Sequence, residues 1–486
     1  MTNRRGPTLA LLALLWIVAS VRALWPVLHE PLYAYANSYD QTRYTSCFGF
    51  YPDRPADVEP QRNSPEAPHA KFRFIATGDS MCYWSSDLAF PAIAAAGWRI
   101  AEAAGGGGSH DVRPVALLRW GVLSGLSIAF SLAWLRRGDV RAAIANAGLL
   151  ALLFADPANT LYLATFYAEP TALMSAYALV AATLLWQGER RTRLRFVLLA
   201  LAAFVLATSK IQHLMLPLLL AGVVAIVDRM RASQRWRAGA LATGAVAGCA
   251  LQVAQLQRQT PMMDAIDQYN RADVLFTALL PFADDPRSML QGFGIDPACA
   301  RHAGDRAWEL PEMPEAMCAG FERFGRGDEL RALALHPGIA VRLAGAGIRA
   351  MTPWLAGNIG HVEGAVFARA PVADASLDRV LAASPPLRHA LLLVPLAALA
   401  WLARRRAHRG RALVFTALVV VTAGATLAVV VLGDGLADVA KQTHLATNAL
   451  LAWAIVMTIA VLLPVPRSDR IQSVPESSPM PRCRPR

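Results

Sequence analysis

Short polar stretches set between long apolar runs hold the side chains best suited to chemistry. In Asn37-Ser38-Tyr39-Asp40-Gln41-Thr42-Arg43-Tyr44, Asp40 and Arg43 stand three apart, so a helix would put them on one face. A carboxylate placed there can act as general base toward a hydroxyl; a surface ion pair would use the same spacing. Asp156 to Pro170 carries two carboxylates, Asp156 and Glu169, with Tyr162, Phe166 and Tyr167 between them. Acids beside aromatic rings suit a sugar- or phosphate-facing site. Asp156-Pro157 also makes an ordinary helix terminus, and Glu169 before Pro170 an ordinary helix start, where negative charge meets the positive end of the dipole.

Lysine is scarce: of 47 basic side chains only Lys71, Lys210 and Lys441 are not arginine. A compact ammonium kept where arginine serves elsewhere points to a specific contact such as a phosphate; snorkelling to lipid headgroups is the plainer account. Lys210 sits in Ser209-Lys210-Ile211-Gln212-His213, and Lys441 in a turn from Gly433 to His444 that Asp434 opens. Asp438, Lys441 and His444 follow at i, i+3 and i+6, which a helix would align on one face. An ion-pair ladder at a helix start explains that spacing too.

The apolar runs must position these stretches. The 486-residue chain is 55% apolar with a mean hydropathy of +0.35. Runs approaching the ~20 helical residues that cross a hydrocarbon core recur throughout. They predict an all-α polytopic membrane protein of about ten transmembrane helices, near 7–25, 114–135, 140–155, 170–187, 195–209, 212–228, 238–254, 388–403, 412–432 and 446–464. Arginine clusters (Arg4 and Arg5; Arg136, Arg137 and Arg141; Arg190 to Arg195; Arg229 to Arg237; Arg404 to Arg411; Arg482 to Arg486) fall at every second turn. By the positive-inside rule both termini are cytoplasmic and loops 26–113, 156–169 and 255–387 lie outside. The first span reads as an uncleaved signal anchor.

This divides the chain into an N-terminal transmembrane module, 1–254, that includes the first outside loop; an extracytoplasmic segment, 255–387; C-terminal transmembrane helices, 388–464; and a disordered cytoplasmic tail, 465–486. Within the first loop Asp53 to Pro68 reads as irregular and Ser85 to Ala104 as an interfacial helix. Leu335 to Trp354 reads as a second interfacial helix, with Arg342 and Arg349 seven apart on one face at phosphate level. The net charge of +12 is scattered over short loops, which argues against nucleic acid as a partner. Cys47 and Cys82 share one outside loop and Cys299 and Cys318 another, so each pair is placed to close a disulfide in an oxidising compartment.

Four stretches in this order, Asn37 to Tyr44, Asp156 to Pro170 with its Thr-Phe-Tyr-Ala-Glu-Pro core, Ser209 to His213, and Gly433 to His444, resemble the GT-C superfamily of integral-membrane glycosyltransferases. The likeness is to bacterial surface-glycan hexose transferases. Two departures are visible: Ala168 stands where a Gly is common, and Gln442 helps separate a usually adjacent basic–His pair into Lys441 and His444. The resemblance implies inverting transfer of a hexose from a polyprenyl-phosphate carrier to a glycan or lipid-linked acceptor, at the outer face of the bacterial inner membrane. Asp40 would be the base, with Asp156 or Glu169 as the second acid. Arg43, Lys210, His213, Arg342, Arg349, Lys441 and His444 would hold the donor phosphate, and Tyr162, Tyr167, Asp434 and Asp438 would line the substrate. Mg²⁺ or Mn²⁺ held by the acids is the cofactor such a site would use. A lipid-sugar flippase would instead place ionisable groups at mid-membrane; a non-catalytic subunit of a glycan assembly complex would use 255–387 for docking.

Overall fold

The computed structural model describes residues 5–34, 38–54, 69–76, 81–228, 235–258, 260–351, 354, 361–362, 365–369, 372, 374, 376–404 and 410–463. Asn37, most of the stretch Asp53 to Pro68, Arg4, Arg229, Arg231, Arg405, Arg406 and Arg409, and the tail 465–486 with its arginines lie outside the described residues.

Each of the ten apolar runs is a helix. We number them α1 (Arg5–Leu28), α2 (Arg113–Arg136), α3 (Val140–Leu149, continued by a π turn Leu150–Phe154), α4 (Glu169–Leu185), α5 (Arg193–Ser209), α6 (Leu216–Asp228), α7 (Trp236–Leu256), α8 (Pro385–Arg404), α9 (Arg411–Asp434) and α10 (His444–Leu462). Seven of these segments are long and apolar enough to cross a membrane, α6 being counted from Ile211; α3 and α4 are shorter apolar helices. Large apolar side chains face outward from the bundle, Val21 at 66%, Ile226 at 67% and Val461 at 79% exposure among them. That polarity suits hydrocarbon as the surrounding medium. The chain is an all-α polytopic membrane protein.

Successive helices alternate in direction, so their connections gather at two ends. At the arginine-rich end Gly138 and Gly188 turn the chain with positive φ, and Asp139 and Thr192 cap the helices that follow. Glu189 there takes Arg137 at 3.0 Å and Arg195 at 3.2 Å, and Asp139 takes Arg411. Asp228 and Arg237, both buried, clasp the α6–α7 hairpin.

The opposite, loop-rich end is built up further. A three-stranded antiparallel sheet (Phe50–Pro52, Lys71–Phe74, His110–Asp111) and the helix Ala89–Ala103 form the first loop. Phe50, Phe72 and Trp98 pack there around Phe166 of the loop between α3 and α4. A second small sheet pairs Tyr33–Ala34 with His361–Val362, and that strand with Ala365–Arg369. The segment between α7 and α8 has its own core of Phe276, Leu290, Phe321 and Phe324. Cys47–Cys82 and Cys299–Cys318 are disulfide-bonded.

The helix Pro337–Ala350 turns Ile339, Leu343 and Gly347 inward, and Gly347 approaches Val431 of α9. The expected surface-lying helix is therefore packed on the bundle along one side.

Helices α5 and α7 approach each other closely. A Cβ on Gly244 would overlap the carbonyl of Ala200, and one on Gly248 would lie 2.5 Å from Ala207 Cβ. This is the small-residue packing by which membrane helices approach without a hydrophobic driving force. Gly244→Ala should force the pair apart and cost about 1–3 kcal/mol, read as a lowered Tm of the purified protein in detergent; an unchanged Tm would refute the contact.

Candidate functional site

The site grows from the short helix Ser38–Thr45 just beyond α1. Tyr83 N donates to Arg43 O at 2.7 Å beside the Cys47–Cys82 disulfide. Gln41 Oε1 accepts from Phe166 N at 3.1 Å. These contacts fix Asp40 and Arg43, an i, i+3 ion pair, over the loop between α3 and α4.

Onto this pair comes Lys441, from the turn between α9 and α10. Its Nζ lies 2.6 Å from Asp40 Oδ2, 3.3 Å from Asp438 Oδ2 and 5.2 Å from the centre of the Tyr167 ring. A second lysine pair stands alongside: Lys210 Nζ donates to Glu169 Oε1 at 2.8 Å. Gln442 joins the two. Its Oε1 accepts from Lys210 at 3.1 Å, its carbonyl accepts from Gln212 Nε2 at 3.1 Å, and its Nε2 donates to Asp434 at 3.2 Å. The side chain that separates the basic–His pair in sequence is the bridge of the network.

Four carboxylates (Asp40, Glu169, Asp434, Asp438) thus face three cations (Arg43, Lys210, Lys441). Burial by itself would raise Asp40, but Lys441 and Arg43 outweigh it and hold the carboxyl well below the usual range. Burial would depress Lys441, yet Asp40 and Asp438 hold its ammonium well above its ordinary value. Burial dominates at Asp438, which is raised despite Lys441. Two buried polar atoms at the network, Glu169 Oε2 and the Tyr167 hydroxyl, have no hydrogen-bond partner among the described residues. Orphaned groups of this kind are costly unless something else satisfies them. No group of three or more His, Cys, Asp or Glu among the described residues is arranged for a metal ion. Asp40, Asp438 and Glu169 are engaged by lysine and arginine instead, so the residues present do not fit Mg²⁺ or Mn²⁺.

Several residues singled out from the sequence lie elsewhere, and His213 and His444 stand beside the network, within reach of the Glu169 and Lys210 charges. Asp156 is buried, but Arg22, Leu377 N and Ala158 N take up its carboxylate, and it caps the turn Pro157–Thr160. Burial lifts it to about 6 against those bonds. Arg342 turns to Phe282 O and Asp284. Arg349 is exposed on the same helix, because the opposite face of that helix packs on α9. His444 does not continue the Asp438–Lys441 face. The chain changes direction at Thr443, and the imidazole points inward to Asn448 at 3.3 Å, edge-on to Tyr162. His213 lies buried against Ser209 Oγ at 3.2 Å, one helical turn from Lys210.

The largest omission of the sequence reading is Asp87 with Arg119. Both are fully buried, and Arg119 Nη2 lies 3.0 Å from each Asp87 oxygen. The same guanidinium donates to the carbonyls of Tyr162, Leu163, Thr165 and Tyr167, and Thr171 Oγ1 donates to Asp87 at 2.6 Å. Arg119 therefore shapes the loop that presents Tyr167 and Glu169. The available signal was a lone arginine inside an apolar span, which requires an acid nearby. Asp87→Ala should strand that charge and cost about 3–5 kcal/mol, seen as loss of monodisperse protein or a large fall in Tm; wild-type stability would contradict the role.

Asp273, from the segment between α7 and α8, borders the Gly433–His444 turn. Thr277 Oγ1 accepts from Leu436 N at 2.7 Å, and Ala307 N donates to Asp273 Oδ1 at 2.7 Å. Burial, with the nearby Asp434 and Asp438 carboxylates, pushes Asp273 up to about 8. A raised acid contributes stability that is complete below its unfolded value near 3.8 and is lost as pH rises through about 8. Asp273→Asn should flatten that decline, gaining on the wild type as pH is taken from 4 to 9; parallel Tm–pH curves would disprove the buried neutral acid.

Residues 98–343 match the family model described as the YfdI N-terminal transmembrane domain. No curated protein and no solved structure matches the chain.

Proposed function

Since the chain belongs to the family of the YfdI N-terminal transmembrane domain, its scaffold is a membrane-embedded helical one, and we propose that it is an inverting glycosyltransferase of GT-C type. The observation that carries this reading is the convergence of Asp40, Glu169, Lys210 and Lys441 from four segments into one buried network at a single end of the bundle. Buried ionisable groups are costly and concentrate at functional sites. The donor is a polyprenyl-phosphate hexose and the acceptor a hydroxyl of a surface glycan or a second lipid-linked sugar. The network end faces the periplasm of a bacterial inner membrane and both termini the cytoplasm. The arginine-rich opposite end and two disulfides at the network end support that orientation.

In this mechanism Asp40 takes the proton of the acceptor hydroxyl as its oxygen attacks the anomeric carbon. The bond from that carbon to the phosphate oxygen breaks, and the configuration inverts. Lys441, Arg43 and Lys210 hold the negative charge that develops on the departing polyprenyl phosphate. Glu169 Oε2 and the Tyr167 hydroxyl, which have no hydrogen-bond partner among the described residues, bind sugar hydroxyls. Asp40 is a weak base while Lys441 and Arg43 both grip it. A donor phosphate competes for those cations, and each one it draws away raises the proton affinity of Asp40. Donor binding thereby prepares the base.

The test is turnover of a synthetic polyprenyl-phosphate hexose by purified protein, followed as release of polyprenyl phosphate. Asp40→Asn, shown to be monodisperse, should lose about 10²–10⁴-fold in kcat/KM, and Lys441→Met should lose turnover as well. Undiminished turnover by the Asn variant would remove Asp40 from the chemistry. No turnover by the wild type with any lipid-linked sugar would remove the reaction itself.

A further inference from the structure

A groove within the bundle reaches its arginine-rich end. Apolar and about 310 Å³ in volume, it runs between α3, α4, α9 and α10, lined by Leu149, Leu173, Val180, Val419, Ala452 and Val456. That volume is at the lower edge of ligand-sized pockets, ~300–1,000 Å³. The polar side chains on its wall are already engaged. Asn146 accepts from Tyr177 at 2.8 Å and donates to Ser131, and Asn448 is paired with Asn159. Apart from the hydroxyl of Thr422, the middle of the groove therefore offers an occupant mainly hydrocarbon.

Its two ends differ. Toward the lysine network, Phe154 and Leu173 separate it from a void of about 10 Å³ beside His444. It does not open onto Lys210 or Lys441. At the arginine-rich end Trp134, Asp139, Arg141 and Arg411 line its mouth. Arg411 pairs with Asp139 and stacks over Trp134 at 4.5 Å. Arg141 donates from Nη2 to Leu463 O, while its buried Nε–H has no acceptor among the described residues. Two guanidiniums against one carboxylate, with a donor left over, complement an anion; the apolar trough behind them complements an alkyl chain.

We infer that this groove holds an anionic glycerophospholipid of the leaflet opposite the lysine network, with its phosphate between Arg141 and Arg411 and one acyl chain rising between α4 and α9. Basic pockets between transmembrane helices select acidic headgroups in this way. The site is independent of the glycosyl-transfer reading and stands or falls separately.

Phosphatidylglycerol carrying a photoreactive group midway along one acyl chain tests it on the full chain in detergent. Crosslinks should concentrate on peptides of α3, α4 and α9, at least tenfold above those from a phosphatidylcholine analogue with the same chains. Arg141→Gln with Arg411→Gln should abolish that preference, and Ala452→Phe should remove the crosslinks for both lipids. The wild-type pattern alone is decisive if a variant fails to fold. Equal labelling by the two lipids, labels scattered over outward residues such as Val21 and Ile226, or stronger competition by polyprenyl phosphate than by phosphatidylglycerol would overturn the assignment. So would an absence of labelling.

Discussion

An ammonium withdrawn from water must keep a carboxylate beside it, and that requirement organises one end of this protein. Lys441 reaches Asp40 across 401 residues of chain, and Lys210 reaches Glu169 across 41. Each pair ties a turn between helices to a segment distant from it in sequence. Gln442 then binds the pairs to each other, using a side-chain oxygen, a side-chain nitrogen and its carbonyl. The outcome is a charged plane roofing an apolar bundle. Its ionised groups satisfy one another, except where Glu169 and Tyr167 leave polar atoms over.

That plane rests on a second buried pair. The loop between α3 and α4 has little regular structure of its own, and carbonyls at such a depth must find donors. Arg119 supplies them to the carbonyls of Tyr162, Leu163, Thr165 and Tyr167, and its charge is balanced by Asp87, which comes down from the first loop. The first loop, the α3–α4 loop and α2 are therefore one mechanical unit. The aromatic cluster of Phe50, Phe72, Trp98 and Phe166 fills the space above it. A glycosyl-transfer site of the proposed kind depends on this arrangement, because a sugar hydroxyl and a phosphate must meet fixed partners with water excluded.

The opposite end uses different physics. Its ion pairs, Arg137 and Arg195 with Glu189 and Arg411 with Asp139, are partly exposed and span adjacent turns. Such pairs orient helices and meet lipid headgroups at small individual stabilities. The groove between α3, α4, α9 and α10 opens among them, away from the lysines.

What the sequence by itself determined is the scaffold and its polarity. Ten apolar runs became ten helices, since length and apolarity leave a buried or lipid-facing backbone no other way to satisfy its hydrogen bonds. Local spacing was equally readable, as in Asp40 and Arg43 on one short helix. Tertiary structure alone decided which acid meets which base. Of the two acids in the α3–α4 loop, Glu169 joins Lys210, while Asp156 is drawn to Arg22 on α1. Arg342 and Arg349 share a face as their spacing implied, but helix packing turned that face away from the network. His444 left the Asp438–Lys441 line because the chain bends at Thr443. Asp87 and Arg119 carried no mutual signal in sequence, being 32 residues apart with a charge each and nothing local between them. Spacing sets which side chains share a face within one helix; how those faces rotate against each other is set by the close approach of helices, and that belongs to the packed bundle.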